Sequence, residues 1–535
     1  MSQTRAHTAS GSAPEAGVPV EWKSPLGKHL TLTSAVLLNA SQMIGIGVFS
    51  LAGPIVKSTG SIGLLLVYWL IGPIIALVSI AVYNEYASTF PERSGGEVVY
   101  LEQAYPRPRF LVSTAFAINA LLLTSSATNC IVAAQFALNA LDMEWTAARQ
   151  TLIAVSLAVT AVAVVGTSTK WAIRVMNVIT VIKLLALAFI IGVGCAIFAG
   201  WTAVRDPWTN FKHPFEGSTR NPSSLATALV KINYSITGWG TAYQVLSEVK
   251  GGPATVRRAS YIAVVVVCTL FFLVNVAYVA AVSKQEIEDS GQLVAAIFFT
   301  KVFGTGVASK LLPAMIALSG GGNVIAVMLA QARVLREIAR QGILPFPTFF
   351  ASIRPFGTPL APVSLKLAIT TIIIFLAPAG DAVNLLLNLS FYPGLVFNAA
   401  LAAGVWVLRS RRKQEGLPSP NAPASDILVA MFLAKTMFML VMPWIPPDDG
   451  RSDVSIWYAT YCVLGLCILA LCGLYYYVWI ILMPRLGGYE IVEETEELSG
   501  GARLRKLVRR YPDDAGSSSQ SRHSESEPLL GASSH

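Results

Sequence analysis

The 535-residue chain is short of charge: Asp, Glu, Lys and Arg make up 13% of it, against 54% apolar side chains. Soluble domains carry about a quarter charged residues, so this composition excludes an ordinary soluble protein. Histidine is scarce, and none of His7, His29, His213, His523 and His535 is centred in an apolar run. There is no HExxH, no glycine-rich phosphate loop and no carboxylate pair at membrane depth, so a membrane enzyme would have no constellation to use. The six cysteines (Cys130, Cys195, Cys268, Cys462, Cys467 and Cys472) all fall inside apolar runs. None has metal-ligand spacing or a histidine partner, so neither a zinc site nor a disulfide framework is expected, and no cofactor. Ten-residue segments of alternating hydropathy are also missing, which argues against a transmembrane barrel. The first thirty residues are polar, so no cleavable signal peptide is expected and the first apolar run serves as the insertion signal.

What the chain does have is apolar runs of about 20 residues, the length a helix needs to cross roughly 30 Å of hydrocarbon. They fall near 34–56, 62–84, 110–138, 151–166, 174–199, 225–247, 259–282, 309–331, 362–378, 383–408, 426–445 and 455–483. An all-α membrane protein of twelve transmembrane helices is therefore expected, with a transporter domain over 29–483. Lys and Arg concentrate in the loops on one side, including Arg333 to Arg340 and Arg409 to Lys413. The positive-inside rule then puts both termini in the cytoplasm. The net charge of +9 is explained by that topology and gives no reason to expect a nucleic-acid partner.

The first span is interrupted at Met43-Ile44-Gly45-Ile46-Gly47-Val48-Phe49, ahead of Pro54. Two glycines one residue apart weaken a helix where the bilayer offers no water to its backbone. A second interruption stands in the sixth span, at Tyr234-Ser235-Ile236-Thr237-Gly238-Trp239-Gly240. Breaks in spans one and six are what a five-plus-five inverted repeat gives, with two additional C-terminal helices. Their exposed N–H groups and dipole ends would then meet near the midplane and hold an anionic group. The alternative is that the glycines are close-packing points between helices.

Lys183 lies near the middle of span five, where burying an ammonium costs at least a few kcal/mol and a function is the default reading. It acts either as a proton carrier or as a charged strut bonded to backbone carbonyls. Lys435 in span eleven is expected to snorkel or pack on a neighbouring helix. Glu85 and Glu248, at cytoplasmic span ends, are either gating ion pairs or solvated caps. Asn119 and Asn129 in span three either face the site or bond helix to helix. Between spans seven and eight, the apolar patch Leu293 to Phe299 suits an amphipathic external helix.

The tails, 1–28 and 484–535, have the composition of disordered cytoplasmic segments. The second is acidic at Glu490 to Glu497, basic at Arg503 to Arg510, and then serine-rich. It contains Glu525-Ser526-Glu527-Pro528-Leu529-Leu530, which fits an acidic dileucine sorting signal read by trafficking adaptors.

The two breaks, with Arg333-Val334-Leu335-Arg336-Glu337-Ile338-Ala339-Arg340-Gln341-Gly342-Ile343-Leu344-Pro345, resemble the amino acid/polyamine/organocation superfamily, and its L-type amino-acid transporters in particular. Pro91-Glu92-Arg93-Ser94-Gly95-Gly96-Glu97, with Tyr105-Pro106-Arg107-Pro108, is similar to the fungal high-affinity methionine permeases. The resemblance runs from about residue 30 to 483. It implies an inverted-repeat core, alternating access, and an α-amino acid held between the breaks. The carboxylate would sit on the N–H groups of Gly45, Ile46 and Gly47. The ammonium would face carbonyls near Met43 and Ile44 and around Tyr234, Ser235 and Thr237, beside Gly238. Tyr234 matches an aromatic gate, and Lys183 the place of a sodium ion in sodium-coupled relatives.

There are departures. L-type transporters that pair with a heavy chain use a cysteine after span three, where this chain reads Leu141-Asp142-Met143-Glu144-Trp145. No disulfide-linked heavy chain is therefore expected. Ile46 stands where relatives often have a small polar residue. The resemblance implies a proton-coupled secondary active permease for methionine or another large neutral L-amino acid, with an exchanger, a uniporter or a non-transporting sensor as alternatives. It implies the plasma membrane, with a vacuolar or endosomal membrane as the alternative that the dileucine-like motif raises.

Overall fold

In the computed structural model, residues 21–510 are described except 22–23, 125, 203, 205, 292, 377–380, 447–456, 458 and 499–501. The Glu525-to-Leu530 motif and most of the N-terminal tail thus lie outside the described residues. Among the described residues, ten helices are long and apolar enough to cross a membrane. The sixth and ninth sequence runs are not among them, for different reasons. The sixth is a helix over Pro222–Ile236 that breaks before the run ends, and the ninth, Leu360–Leu376, has only 17 residues.

The first span starts at a Thr31 N-cap, whose hydroxyl accepts from the Ser34 amide at 3.3 Å. It stops at Met43, resumes for one turn at Gly47–Ser50, and continues over Ala52–Thr59. The run 110–138, expected as one helix, is two: Leu111–Leu122 and Ala127–Ala140. The patch before span eight is helical as expected. Its helix, Val294–Gly304, ends where Gly304 takes φ 78°, and span eight then runs Lys310–Arg340. Lys301 on this helix bonds Glu286 at 2.6 Å; Lys301 and Ser283 together hold the Glu286 carboxyl down to about 2.

Span eight is the central packing surface, and its glycines set its neighbours. A Cβ added at Gly320 would lie 2.8 Å from the Ala133 Cβ of span three, and one at Gly322 would strike Ile179 of span five. Small residues allow such close backbone approach where lipid supplies no hydrophobic drive between helices. Two apolar cores flank this element. One gathers Tyr83, Tyr86, Tyr100, Tyr243 and Phe432; the other gathers Trp69, Phe271, Tyr278, Phe298 and Phe299.

Both tail expectations need correction. Glu21 is buried, at 2.9 Å from Arg336 and 3.3 Å from Arg340, so the N-terminal segment is held at least there. The acidic and basic stretches after residue 484 are strands β1 (Glu490–Leu498) and β2 (Ala502–Arg510), paired antiparallel, so the protein is mostly helical and not all-α. The register sets Glu490 opposite Arg510, Glu494 opposite Lys506 and Glu497 opposite Arg503. Opposite charges directly across an antiparallel pair favour the hairpin that composition alone reads as a loose tail.

The hairpin docks on the end of span eight. Leu504 is fully buried beside Val334, Leu335 and Ile338, and Arg340 donates to the Arg503 carbonyl at 2.7 Å. Arg505 reaches Glu102 at 3.0 Å and donates to the Gln341 carbonyl at 3.3 Å. Glu102 keeps a second partner in Arg93 at 2.7 Å. Arg505→Ala should therefore weaken docking by about 1–3 kcal/mol, the range for losing hydrogen bonds to a charged group, and leave the spans intact. Hydrogen exchange would show this as faster exchange over 490–510 alone; unchanged exchange there would mean the hairpin is held by Leu504 and not by Arg505.

Candidate functional site

The two interruptions are in contact. Gly238 takes φ 122°, and a Cβ added to it would lie 2.8 Å from the Met43 amide nitrogen and 2.9 Å from the Gln42 carbonyl carbon. Similarly, a Cβ on Gly47 would lie 2.9 Å from Ser235 Oγ and 3.4 Å from Ser235 Cα. Close approach of backbone to backbone, and not a general need for flexibility, is why glycine stands at Gly238 and Gly47. Of the sequence-selected residues, Met43, Ile44, Gly45, Ile46, Gly47, Ser235 and Gly238 are brought to this junction. Tyr234 is half-buried on the preceding turn, and Thr237 is exposed, its hydroxyl donating to the Asn233 carbonyl at 2.9 Å.

Unwinding leaves backbone groups to be satisfied. Ile44 N–H still donates to Ala40, and Gly45 N–H turns back to the Met43 carbonyl at 2.9 Å. The N–H groups of Ile46, Gly47 and Val48, opening the next turn, have no protein acceptor among the described residues. Ser235 Oγ, fully enclosed beside Gly47, has no hydrogen-bond partner either. Unpaired donors and a buried free hydroxyl around one backbone gap are where an anionic or polar ligand group is bound most easily.

The carbonyl side is already occupied. Lys183 Nζ donates to Ser41 O at 2.9 Å and Ile44 O at 2.8 Å, and Ser319 Oγ lies 3.1 Å from both Ile44 O and Gly45 O. Asn323 Nδ2 donates to Gln42 O at 2.7 Å. A carbonyl has two acceptor positions; Lys183 takes one of those of Ile44, and the single Ser319 proton serves either the other or Gly45 O. The ammonium position expected at Ile44 is thereby shared with Lys183, while Met43 O keeps one position beyond Gly45 N–H.

Sequence reasoning reached Lys183 but missed Ser319 and Asn323, which hang from span eight over the same carbonyls. Single polar residues beside a glycine run leave too weak a signal. It missed Lys366 as well, although the signal was strong, an ammonium inside a short apolar helix. Lys366 is fully buried in span nine and touches span three.

The side facing the hairpin is sealed by charge. Glu248 is bidentate with Arg333 at 2.7 and 3.0 Å, and Glu85 with Arg409 at 2.7 and 2.6 Å. Both glutamates are ion-paired and buried, which rules out the solvated-cap reading in this conformation. Asn129 bonds Asn323 at 3.0 Å, the helix-to-helix role expected, whereas Lys435 lies over the ring of Phe432, three residues earlier on its own helix, at 4.9 Å.

The amino acid permease profile matches residues 30–479, nearly the whole chain from the start of the first span to the last. This protein belongs to the amino acid permease family. It is 32% identical over 494 residues to the high-affinity methionine permease of Saccharomyces cerevisiae, covering 91% of this chain and 85% of that one. The low-affinity methionine permease of the same yeast is 28% identical over 498 residues, 91% of this chain and 88% of the relative. Human large neutral amino acids transporter small subunit 2 is 27% identical over 445 residues, 82% and 80% of the two chains. The family amounts to transporters, not enzymes, and the permease is a multi-pass membrane protein whose substrate is a small-molecule amino acid.

Proposed function

We propose that this permease takes up methionine or another large neutral L-amino acid, binding it at the junction of the two broken helices and moving it by alternating access. One observation carries this reading: the unpaired N–H groups of Ile46, Gly47 and Val48 stand beside the free Ser235 hydroxyl and the backbone contact at Gly238. The amides suit a carboxylate at a helix N-terminus. Met43 O and the segment Tyr234 to Gly238 take the ammonium, and Tyr234 covers the side chain. The relatives named for methionine and large neutral amino acids support that side-chain class.

Twelve spans in a five-plus-five inverted repeat, with both termini cytoplasmic at the plasma membrane, complete the proposal. Breaks at corresponding places in spans one and six support the repeat, and Arg93, Arg333 to Arg340 and Arg409 to Lys413 on one side support the orientation. Competition for labelled methionine uptake by a panel of amino acids, in proteoliposomes, tests the substrate. Failure to transport methionine or any large neutral amino acid would overturn the reading, and would favour a sensor.

Lys183 is proposed as the proton carrier of a symporter. Its ammonium sits on Ser41 O and Ile44 O without a carboxylate, so losing the proton frees carbonyls at the edge of the substrate site. Lys183→Ala is expected to abolish accumulation driven by an inward proton gradient. Unchanged pH-dependent accumulation would leave Lys183 as a strut and favour exchange or uniport, a reading its two well-formed carbonyl bonds also suit.

A further inference from the structure

Span three is broken at a hydroxyl-rich stretch, Thr124-Ser125-Ser126, which weakens a helix less than a glycine or proline would. Residues 120–126 contain neither glycine nor proline, yet the helix stops at Leu122 and restarts at Ala127. Where neither glycine nor proline is present, a side chain inserted into the backbone ladder is one recognised cause of a kink. That side chain is Lys366. Its Nζ donates to Ala120 O at 2.8 Å, Leu121 O at 3.2 Å and Thr124 Oγ1 at 3.0 Å. The two carbonyls would otherwise serve amides four residues on, and the last carbonyls of a helix are the negative end of its dipole. The Thr124 hydroxyl adds to the wedge, within hydrogen-bond distance of both Ala120 O and Gln331 Oε1 of span eight.

The break redirects the second half of span three. That half carries Ala133, which packs against Gly320, and Asn129, whose Nδ2 donates to Asn323 Oδ1 at 3.0 Å. Asn323 in turn donates to Gln42 O at 2.7 Å, one residue from the contact of Gly238 with Met43. The second half of span three thus carries the effect of the break to Asn129, from which hydrogen bonds run through Asn323 to the edge of the first interruption. We infer that Lys366 is a positioning residue for transport: by holding span three broken, it places Asn129 and so orients Asn323 and the unwound backbone that receives the substrate. This rests on the substrate lying at the span-one and span-six junction.

The same device occurs at Lys183, which also sits on the terminal carbonyls of a half-helix. Lys183 acts at the site directly; Lys366 acts through two asparagines.

The test is uptake kinetics and hydrogen exchange on Lys366→Met, Asn129→Ala and the double variant, in the full-length protein. Methionine is losing affinity, not turnover, so Lys366→Met should raise KM about tenfold with Vmax held within about twofold, and Asn129→Ala should do the same. The double variant should be no worse than either single one, because both cut one route. Without its wedge, span three closes its ladder, and exchange over 120–128 should slow. Unchanged KM in a folded Lys366→Met, or multiplying effects in the double variant, overturns the inference. If Lys366→Met does not fold, Thr124→Val removes one ammonium acceptor at nearly constant shape. It should raise KM in the same direction, and an unchanged KM there overturns the inference equally. Should the wild-type protein transport no amino acid, the substrate-site reading fails instead, so the two failures are distinguishable.

Discussion

Gly238→Ala is expected to abolish uptake of every amino acid substrate, while Gly45→Ala is expected to leave most of it. At Gly238 a methyl group meets backbone atoms of Gln42 and Met43 at 2.8 to 2.9 Å, which cannot rotate out of the way. The residue must also hold φ 122°, a conformation that costs a side chain on the order of 1–3 kcal/mol. The only relief is to push spans one and six apart at the place where the substrate binds. A displacement of about 1 Å at a binding centre can cost roughly 100-fold in rate, and that is the loss expected at equal surface expression. At Gly45 the nearest atom to an added Cβ is the amide nitrogen of Asn323 at 3.4 Å, the end of a movable side chain. The glycines of the two breaks are thus unequal, although the sequence presents them alike. Gly238→Ala retaining uptake within about threefold of wild type would show that the breaks need not touch during transport. Gly45→Val tests the carboxylate: a change in selectivity with overall uptake intact would remove the amides of span one from that role.

Breaks one and six were legible because their cause is local. Glycine pairs and a nearby proline weaken a helix whatever surrounds it, and each can be recognised from a few consecutive residues. The break in span three was illegible for the opposite reason: Thr124-Ser125-Ser126 weakens a helix only mildly, and the ammonium on its carbonyls belongs to a lysine more than two hundred positions away. The C-terminal hairpin shows a third case. Its residues were read correctly as an acidic run followed by a basic one, but composition carries no register. Only the register turns Glu494 and Lys506 into neighbours, and only docking buries Leu504. The carbonyl side of the site was half legible. Lys183 stands out as a charge in an apolar run, whereas its partners are backbone oxygens and have no sequence signature.

Breaking the Arg333–Glu248 pair is expected to be the most destabilising single change on the face that carries the hairpin. The pair joins four segments. Glu248 ends the second part of span six, and its carbonyl accepts from the Leu30 amide just before span one at 3.1 Å. Arg333, on span eight, also donates to Leu329 O at 3.1 Å and to Thr169 Oγ1, at the start of span five, at 3.2 Å. Both side chains are at most 1% exposed, so Glu248→Ala leaves a guanidinium buried without its counter-charge. Such a loss costs about 3–5 kcal/mol, seen as a lower melting temperature and a smaller folded yield from the membrane. Replacing both partners, Glu248→Leu with Arg333→Met, should recover most of that stability, because a buried pair exchanged for apolar residues of similar volume is often neutral. Turnover should stay low in the recovered protein. When the path on this side opens, a separated ion pair is hydrated, whereas separated leucine and methionine expose apolar surface to water, and the equilibrium shifts toward the closed state. The expected signature is a reduced Vmax with KM unchanged or lower. A double variant that is stable and turns over at the wild-type rate would assign the pair to stability alone.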